Sequence, residues 1–478
     1  MAERAEHRRG AAELGRALST TLLRNGHVIS LDDTIGDLPR GDVLIDGSTI
    51  VAVGTGLDAR GIGGTGRTTV IDAAGKIVIP GLIDSHRHVW QSAIGGRRSP
   101  GGHLDIALAR LRDGYAPEDV YAGVLWGALQ AIDAGITTVA DWSPIGTTPA
   151  HADENVRALQ DSGIRGLFLY GPPIGGNVMK WFVESTERHP ADVGRMRAEH
   201  LYDDTARVTM GLALRGPEFS TPEVTEYDFH LARDLALPIS IHSGLPAYLA
   251  RYRTIETLDE RRLLGPDVHH THGVRFSGDD LDRIAATGGS VTPCPIVDMS
   301  MAMSTYPVTG RAVAHGLLPA LATDTPTGTG PDLFAEMRIA LTAERARANA
   351  AARGRTEPSA PVELDQRDVL RFCTVAGAAV WNMTDRIGTI SPGKRADLVL
   401  IDATRPQLCP LNDTAATLVL NASAAEVDTV MVDGRILKRD GRLTGPAATR
   451  VRRLIETSRR RLLARADLSG VVGDSRAG

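Results

Sequence analysis

The sequence predicts an α/β protein: a (β/α)8 TIM barrel carrying a small β-sandwich assembled from both ends of the chain. Three observations point there. Eight short apolar runs alternate with longer helical stretches between residues 77 and 387. Turn-punctuated β text flanks that region on both sides, and several of the apolar runs end on histidine or aspartate. Alternating strands and helices imply a parallel sheet, eight repeats close it into a barrel, and barrel chemistry sits at the C-terminal strand ends.

The elements follow in order. Residues 1–20 read as an N-terminal extension. The runs "TLLRNGHVISLDD", "GDVLIDGSTIVAVGTG" and "TTVIDAAGKIVIPG" place alternating apolar residues between Gly, Asp and Asn turns, the pattern of short strands. Similar text returns in "GTISPGKRADLVLIDA" and "VDTVMVDGRILKRDGRL". Residues 21–76 and 388–445 are therefore expected to pair as the β-sandwich, with 77–387 as the barrel and 446–478 as a C-terminal helical tail. The barrel strands are "KIVIPGLID", "ITTVAD", "IRGLFLYG", "RVTMGLALRG", "LPISIHS", "DVHHTHG", "GGSVTPC" and "LLPALATD".

Composition narrows the function. The 478 residues are 42% hydrophobic with a formal net charge of -5, which offers no electrostatic case for nucleic acid or an anionic membrane. No run is long and apolar enough to span a bilayer. The N-terminus lacks the apolar core of a signal peptide. Cys294, Cys373 and Cys409 have no paired spacing, which fits a reducing compartment. The expectation is a soluble cytoplasmic enzyme acting on a small-molecule or modified-peptide substrate; a homo-oligomer is left open.

The segment "PGLIDSHRHVWQ" (80–91) ends an apolar strand on His86 and His88. Strand side chains alternate faces, so these two imidazoles point together and Arg87 points away. "PISIHS" ends on His242, "DVHHTHG" on His272 and "LPALATD" on Asp324. Singly, each has an ordinary structural explanation; a strand-end Asp is more often a helix cap. Together they bring imidazoles and a carboxylate to one rim, a donor set that suits zinc or another divalent transition metal.

These same motifs resemble the amidohydrolase superfamily, in particular its cytosine deaminase and chlorohydrolase-like branch. The resemblance spans about residues 20–445 and includes "GTISPGKRADLVLID". It implies that His86, His88, His242 and Asp324 ligate the metal and that His272 faces the substrate. His270, which alternation puts on the same strand face, is the runner-up, and His269 is expected to face away. No Lys follows the fourth strand where binuclear members carry one, so a single Zn2+ is preferred, with Fe2+ or a second ion as alternatives. Gln91 and Trp90 occupy positions that contact substrate in this branch.

One departure matters. Deaminases of the branch carry a proton-shuttling Glu three residues after the fifth-strand His; here that residue is Leu245. Glu218, in "RGPEFSTPE", is the candidate replacement, either as a proton-transfer group or as a ligand to a second ion, against a plain helix-capping role. Asp324 can act as base and then acid, with His272 polarising the electrophile. The expected function is metal-dependent hydrolysis of an amide-type C–N bond. Its narrowest form resembles the amidohydrolases of bottromycin-type natural-product pathways, which remove a follower peptide beside a thiazoline. The alternatives are a deaminase or dechlorinase of a nitrogen heterocycle with a relocated proton shuttle, and a non-catalytic binding scaffold.

Overall fold

The computed structural model describes residues 20–58, 68–95, 111–174, 181–246, 252–352, 364–445 and 448–466. Apart from Thr20, the expected N-terminal extension lies outside the described residues.

Strands β1 (Thr20–Ile29), β2 (Asp37–Asp46), β3 (Thr49–Gly54), β4 (Thr69–Asp72) and β5 (Lys76–Pro80) come from the first part of the chain. They join β13 (Leu398–Asp402), β14 (Val427–Val432), β15 (Arg435–Arg439) and β16 (Arg442–Leu443) from the last part. The seam between the two ends is the antiparallel pair β5–β13, with Ile79 opposite Val399 and Ile77 opposite Ile401. The nine strands form one sheet in the order β16-β15-β14-β13-β5-β1-β2-β3, with β4 beside β1. Ile50 of β3 and Met431 of β14, far apart in that order, share one buried cluster with Leu23, Val43 and Leu398. The sheet thus curls over its own core, which gives the expected sandwich from one continuous sheet.

The barrel strands are β6 (Leu82–Arg87), β7 (Ile136–Ser143), β8 (Arg165–Tyr170), β9 (Val208–Leu214), β10 (Ile239–Ser243), β11 (Val268–His272) and β12 (Ser290–Thr292). They are parallel and pair strictly in sequence. Helices cover the outside of such a sheet, so both faces of each strand are buried, and the strands read as near-continuous apolar runs.

The eighth run departs from expectation. Residues 320–324 close the gap between β12 and β6 without forming a regular strand. Ala320 N–H donates to Val291 O at 3.1 Å, Asp324 N–H to His86 O at 3.0 Å, and His88 N–H to Asp324 O at 2.8 Å. These bonds amount to a single isolated parallel bridge, Arg87 with Asp324, rather than a strand. The physical reason is that Asp324 has a left-handed backbone, φ 57°, which ends extended pairing at the residue the site uses.

Two helices brace the first ligand strand. The segment Val89–Ala93, just past His88, lies against helix Pro117–Asp133. A Cβ on Gly123 would come within 2.6 Å of Trp90 O, and one on Gly127 within 2.4 Å of Ser92 Oγ, so only glycine permits this approach. Helix Ala448–Arg465 packs against helix Pro117–Asp133 and reaches the Val89–Ala93 segment as well. Buried Asp119 ties the two helices together, accepting from Ser458 Oγ at 2.8 Å and from Arg461 Nη2 and Arg465 Nη1 at 2.7 Å each.

Candidate active site

Four side chains from three places in the chain converge at the C-terminal rim. His86 Nε2 and His88 Nε2 each lie 3.5 Å from Asp324 Oδ1. His242 Nε2 lies 3.3 Å from His88 Nε2. Strand alternation brings His86 and His88 to one face, as their spacing requires. Arg87 turns outward into a buried network, with Nη1 donating to the Thr323 hydroxyl and lying 3.9 Å from Asp84.

The outer ring nitrogens fix the inner ones. His88 Nδ1 meets the Trp142 carbonyl at 2.9 Å, and His86 Nδ1 meets Thr271 Oγ1 at 3.3 Å. Carbonyl oxygen only accepts, so His88 Nδ1 carries the hydrogen and its Nε2 presents a lone pair inward, the usual arrangement behind a metal-ligating imidazole. Burial lowers the pKa of His86 and takes that of His242 well below the ordinary range, the latter helped by its imidazole neighbours. Both shifts favour the neutral ring, the form that ligates. Burial opposes ionisation of Asp324, but His86, His272 and His88 outweigh it and hold the carboxyl well below its usual range. His86 Nε2 is buried with no hydrogen-bond partner. Three imidazoles and a carboxylate, with one inward nitrogen left unsatisfied, fit a divalent metal ion.

His272 joins this group by a route that alternation hides. In β11, Thr271 reaches His86, and the register sets Thr271 beside His242 and His272 beside outward-facing Ser243. Strict alternation would leave His272 outside with His270. A left-handed backbone at His272, φ 75°, instead turns its ring inward, 5.4 Å from the His242 ring. His270 stays outside, bonded to Ser243 Oγ at 3.0 Å and packed on Phe276, which removes it as the runner-up. His269 is corrected in the other direction. It lies on the Thr271 face rather than away from it, below the site, bonded to Ser290 Oγ at 3.0 Å and packed on Trp381.

Asp298 is a site residue absent from the expectations drawn from the sequence. Its Oδ1 lies 2.8 Å from His272 Nδ1, and Oδ2 accepts from Cys294 N–H at 3.1 Å. Burial disfavours a charged His272, yet the Asp298 contact prevails and the imidazole pKa is raised. No local motif announces this pair; it needs the turn at His272 and the helix Pro295–Ser300 to meet in space.

Glu218 and Trp90 sit elsewhere than expected. The Glu218 carboxylate accepts from the N–H groups of Gly244 and Leu245, the latter at 3.2 Å, and from Thr254 Oγ1 at 2.6 Å. It anchors the turn after His242 from behind and does not line the cavity, so its oxygens are engaged where a proton shuttle needs one free. Burial pushes its pKa up to about 7. Trp90 is fully buried against Tyr115, ring centroids 5.3 Å apart, and also lies off the cavity. Gln91 does line it; its Oε1 accepts from the Thr325 hydroxyl, leaving the amide NH2 as the group it offers. Leu245 lines the cavity at the position where the branch carries Glu.

The cavity above the four converging groups is walled chiefly by apolar side chains, including Trp142, Trp181, Phe182, Phe219, Met301 and Met303. A parallel barrel, a His/His/His/Asp cluster at its rim and a cavity above it define the architecture of a metal-dependent hydrolase. Residues 77–437 match the Amidohydrolase family, and the chain belongs to that family. It is 30% identical over 423 residues to a 5'-deoxyadenosine deaminase of Methanothermobacter thermautotrophicus, covering 85% of this chain and 91% of the relative. A second 5'-deoxyadenosine deaminase, from Methanosarcina mazei, is 27% identical over 442 residues, covering 89% and 94% of the two chains. Among solved structures, the zinc complex of an atrazine chlorohydrolase from Arthrobacter aurescens TC1 has the same fold, with a TM-score of 0.80, 24% identity, and coverage of 92% of this chain and 100% of that one. Among the described residues no helix is long and apolar enough to cross a membrane.

Proposed function

We propose that this chain hydrolyses an amide-type C–N bond with one divalent ion, zinc, held by His86, His88, His242 and Asp324. The observation that carries this reading is the convergence of three imidazoles and a carboxylate beside His272 on the cavity floor. Bound there, the ion supplies Lewis acidity and lowers the pKa of water from ~15.7 to about 7. Asp324 then takes a proton from the attacking water and passes it to the leaving nitrogen as the C–O bond forms and the C–N bond breaks. His272, oriented by Asp298 through Nδ1, donates from Nε2 to the oxygen on which charge develops. The Gln91 NH2 donates to an acceptor on the substrate. All four ligand positions are filled, which sets the non-catalytic scaffold aside.

The choice of an amide rests on proton supply. Among the described residues, Asp324 is the only carboxylate lining the cavity. Deaminating a heterocycle also requires protonating a ring nitrogen, and Leu245 stands where the branch carries that acid. Follower-peptide release beside a thiazoline is the narrowest form of the amide reading, since a thiazoline nitrogen brings its own base. The second reading, deamination or dechlorination of a heterocycle, is favoured by the deaminases named above and by the chlorohydrolase fold. Turnover of amides, anilides and amino-heterocycles in 18O-labelled water, followed by mass, decides between them. The amide reading predicts one 18O in a carboxylate product and ammonia release near background from 5'-deoxyadenosine and the nucleobases. Efficient nucleoside deamination without amide turnover would reverse the choice.

A further inference from the structure

The walls of the cavity say more about the substrate than its floor does. Trp142 follows the metal-ligand rings directly, 4.4 Å from His242 between centroids. Trp181 stands 6.3 Å from Trp142, Phe182 4.7 Å from Trp181, and Phe219 5.1 Å from Phe182, so four aromatic rings form one continuous surface. Trp181 spends its indole N–H on the Pro172 carbonyl at 3.2 Å and so shows the cavity only its apolar face. Met301 and Met303 follow β12, across the barrel from the aromatic residues near β7–β9.

Charge is missing from the described part of these walls. Among the described lining residues there is no Lys, Arg or Glu, and the one Asp is Asp324 on the floor. Arg215 is buried behind Trp181, its guanidinium carbon 5.7 Å from the ring, and it donates to the Glu187 carbonyl away from the cavity. Facing the rings and thioethers, an anion or cation would lose its hydration with no charged partner among the described residues. Hydroxyls there would find few partners, the polar groups of the lining being Gln91, Thr325 and the floor imidazoles. A flat apolar group would instead stack on the rings and pack against the adaptable thioethers.

We infer that the substrate of this site carries, next to its scissile carbon, a flat, uncharged, apolar group held between the Trp142–Trp181–Phe182–Phe219 surface and Met301/Met303. The inference rests on the hydrolase reading above for which carbon is attacked, and on the walls alone for what surrounds it. It further places a ribose-bearing substrate at a disadvantage, since its hydroxyls would face the rings.

The test is a binding series on the zinc-loaded protein and on the same protein after chelation. Acetanilide is compared with its 4-carboxy and 4-trimethylammonio analogues and with 5'-deoxyadenosine by calorimetric titration. The neutral anilide should bind at least about tenfold tighter than each of the other three in both forms of the protein. Trp181→Ala should remove most of that preference. Met303→Lys, at a half-buried position that tolerates a long side chain, should turn the preference toward the carboxylate and keeps the test alive should Trp181→Ala fail to fold. Equal binding of the charged analogues, or tighter binding of 5'-deoxyadenosine, would overturn the inference. Because the chelated protein binds without turnover, the ranking can hold in that form while the zinc-loaded protein cleaves no amide, in which case the hydrolase reading alone fails. Amide cleavage without the ranking fails the inference alone.

Discussion

At the scale of residues, the site is a set of ring nitrogens whose outer partners decide what the inner ones do. His272 depends on Asp298 for its orientation and its raised pKa. Asp298→Asn keeps the shape but not the charge. It should leave the bound metal unchanged by elemental analysis and lower kcat by about 10–100-fold, the usual cost of losing such an outer partner. Unchanged turnover would remove His272 from the chemistry. Glu218 makes a separate statement about stability. Its folded-state pKa of about 7 lies above the ordinary 4.5, so the folded protein binds this proton more tightly than the unfolded chain does. The contribution is therefore fully present at low pH, is lost as pH rises through about 7, and stays level beyond. Glu218→Gln, which keeps an acceptor for Gly244 and Leu245, should flatten this loss when thermal midpoints are compared at ~pH 5 and ~pH 8. Parallel pH curves for the two proteins would contradict the placement. His86, His88, His242, His272 and Asp324 were all legible because each ends an apolar run. The Asp298 partnership and the anchoring role of Glu218 were not, because both are contacts between segments remote in sequence.

At the scale of elements, the decisive features are the strand ends where the backbone turns left-handed. His272 and Asp324 both have positive φ, and both deliver a side chain that a continuing strand would have aimed elsewhere. Period-two alternation is what sequence reading relies on, and it fails at these two residues. That explains why His270 looked equivalent to His272 and why the eighth run is an extended bridge rather than a strand. The turn after His242 depends on Gly244, with φ 65° and Gly273 Cα only 2.9 Å from where a Cβ would sit. Gly244→Ala should cost about 1–3 kcal/mol through this strain and crowding. It should also weaken metal retention, measured by competition with a chelator, because the turn holds His242. A variant as stable and as tightly metallated as the parent would show that the turn does not set the ligand.

At the scale of the whole molecule, the two ends of the chain are a frame for one rim. The β5–β13 seam places Pro80 opposite Leu398, immediately before β6 begins its run to His86. At the start of β8, Arg165 Nε donates to Asp397 Oδ2 at 2.8 Å, tying the barrel wall to the same sheet. This architecture was readable from repeating strand and turn text at both ends, since local patterns specify it. The aromatic wall of the cavity was not readable, because Trp142 lies in β7 while Trp181 and Phe219 follow β8 and β9, with no shared motif. The central claim is that the whole frame serves one metal ion in a nitrogen and oxygen environment. X-ray absorption at the zinc edge of the protein as purified tests it most directly. The account predicts one equivalent with an imidazole-rich shell of nitrogen and oxygen at about 2.0–2.2 Å and no sulfur. Cys294 lies within 4.8 Å of His272 and Asp324 ligand atoms, so the alternative is physically available. A sulfur neighbour at about 2.3 Å would place the metal on Cys294 and contradict the site assigned to His86, His88, His242 and Asp324.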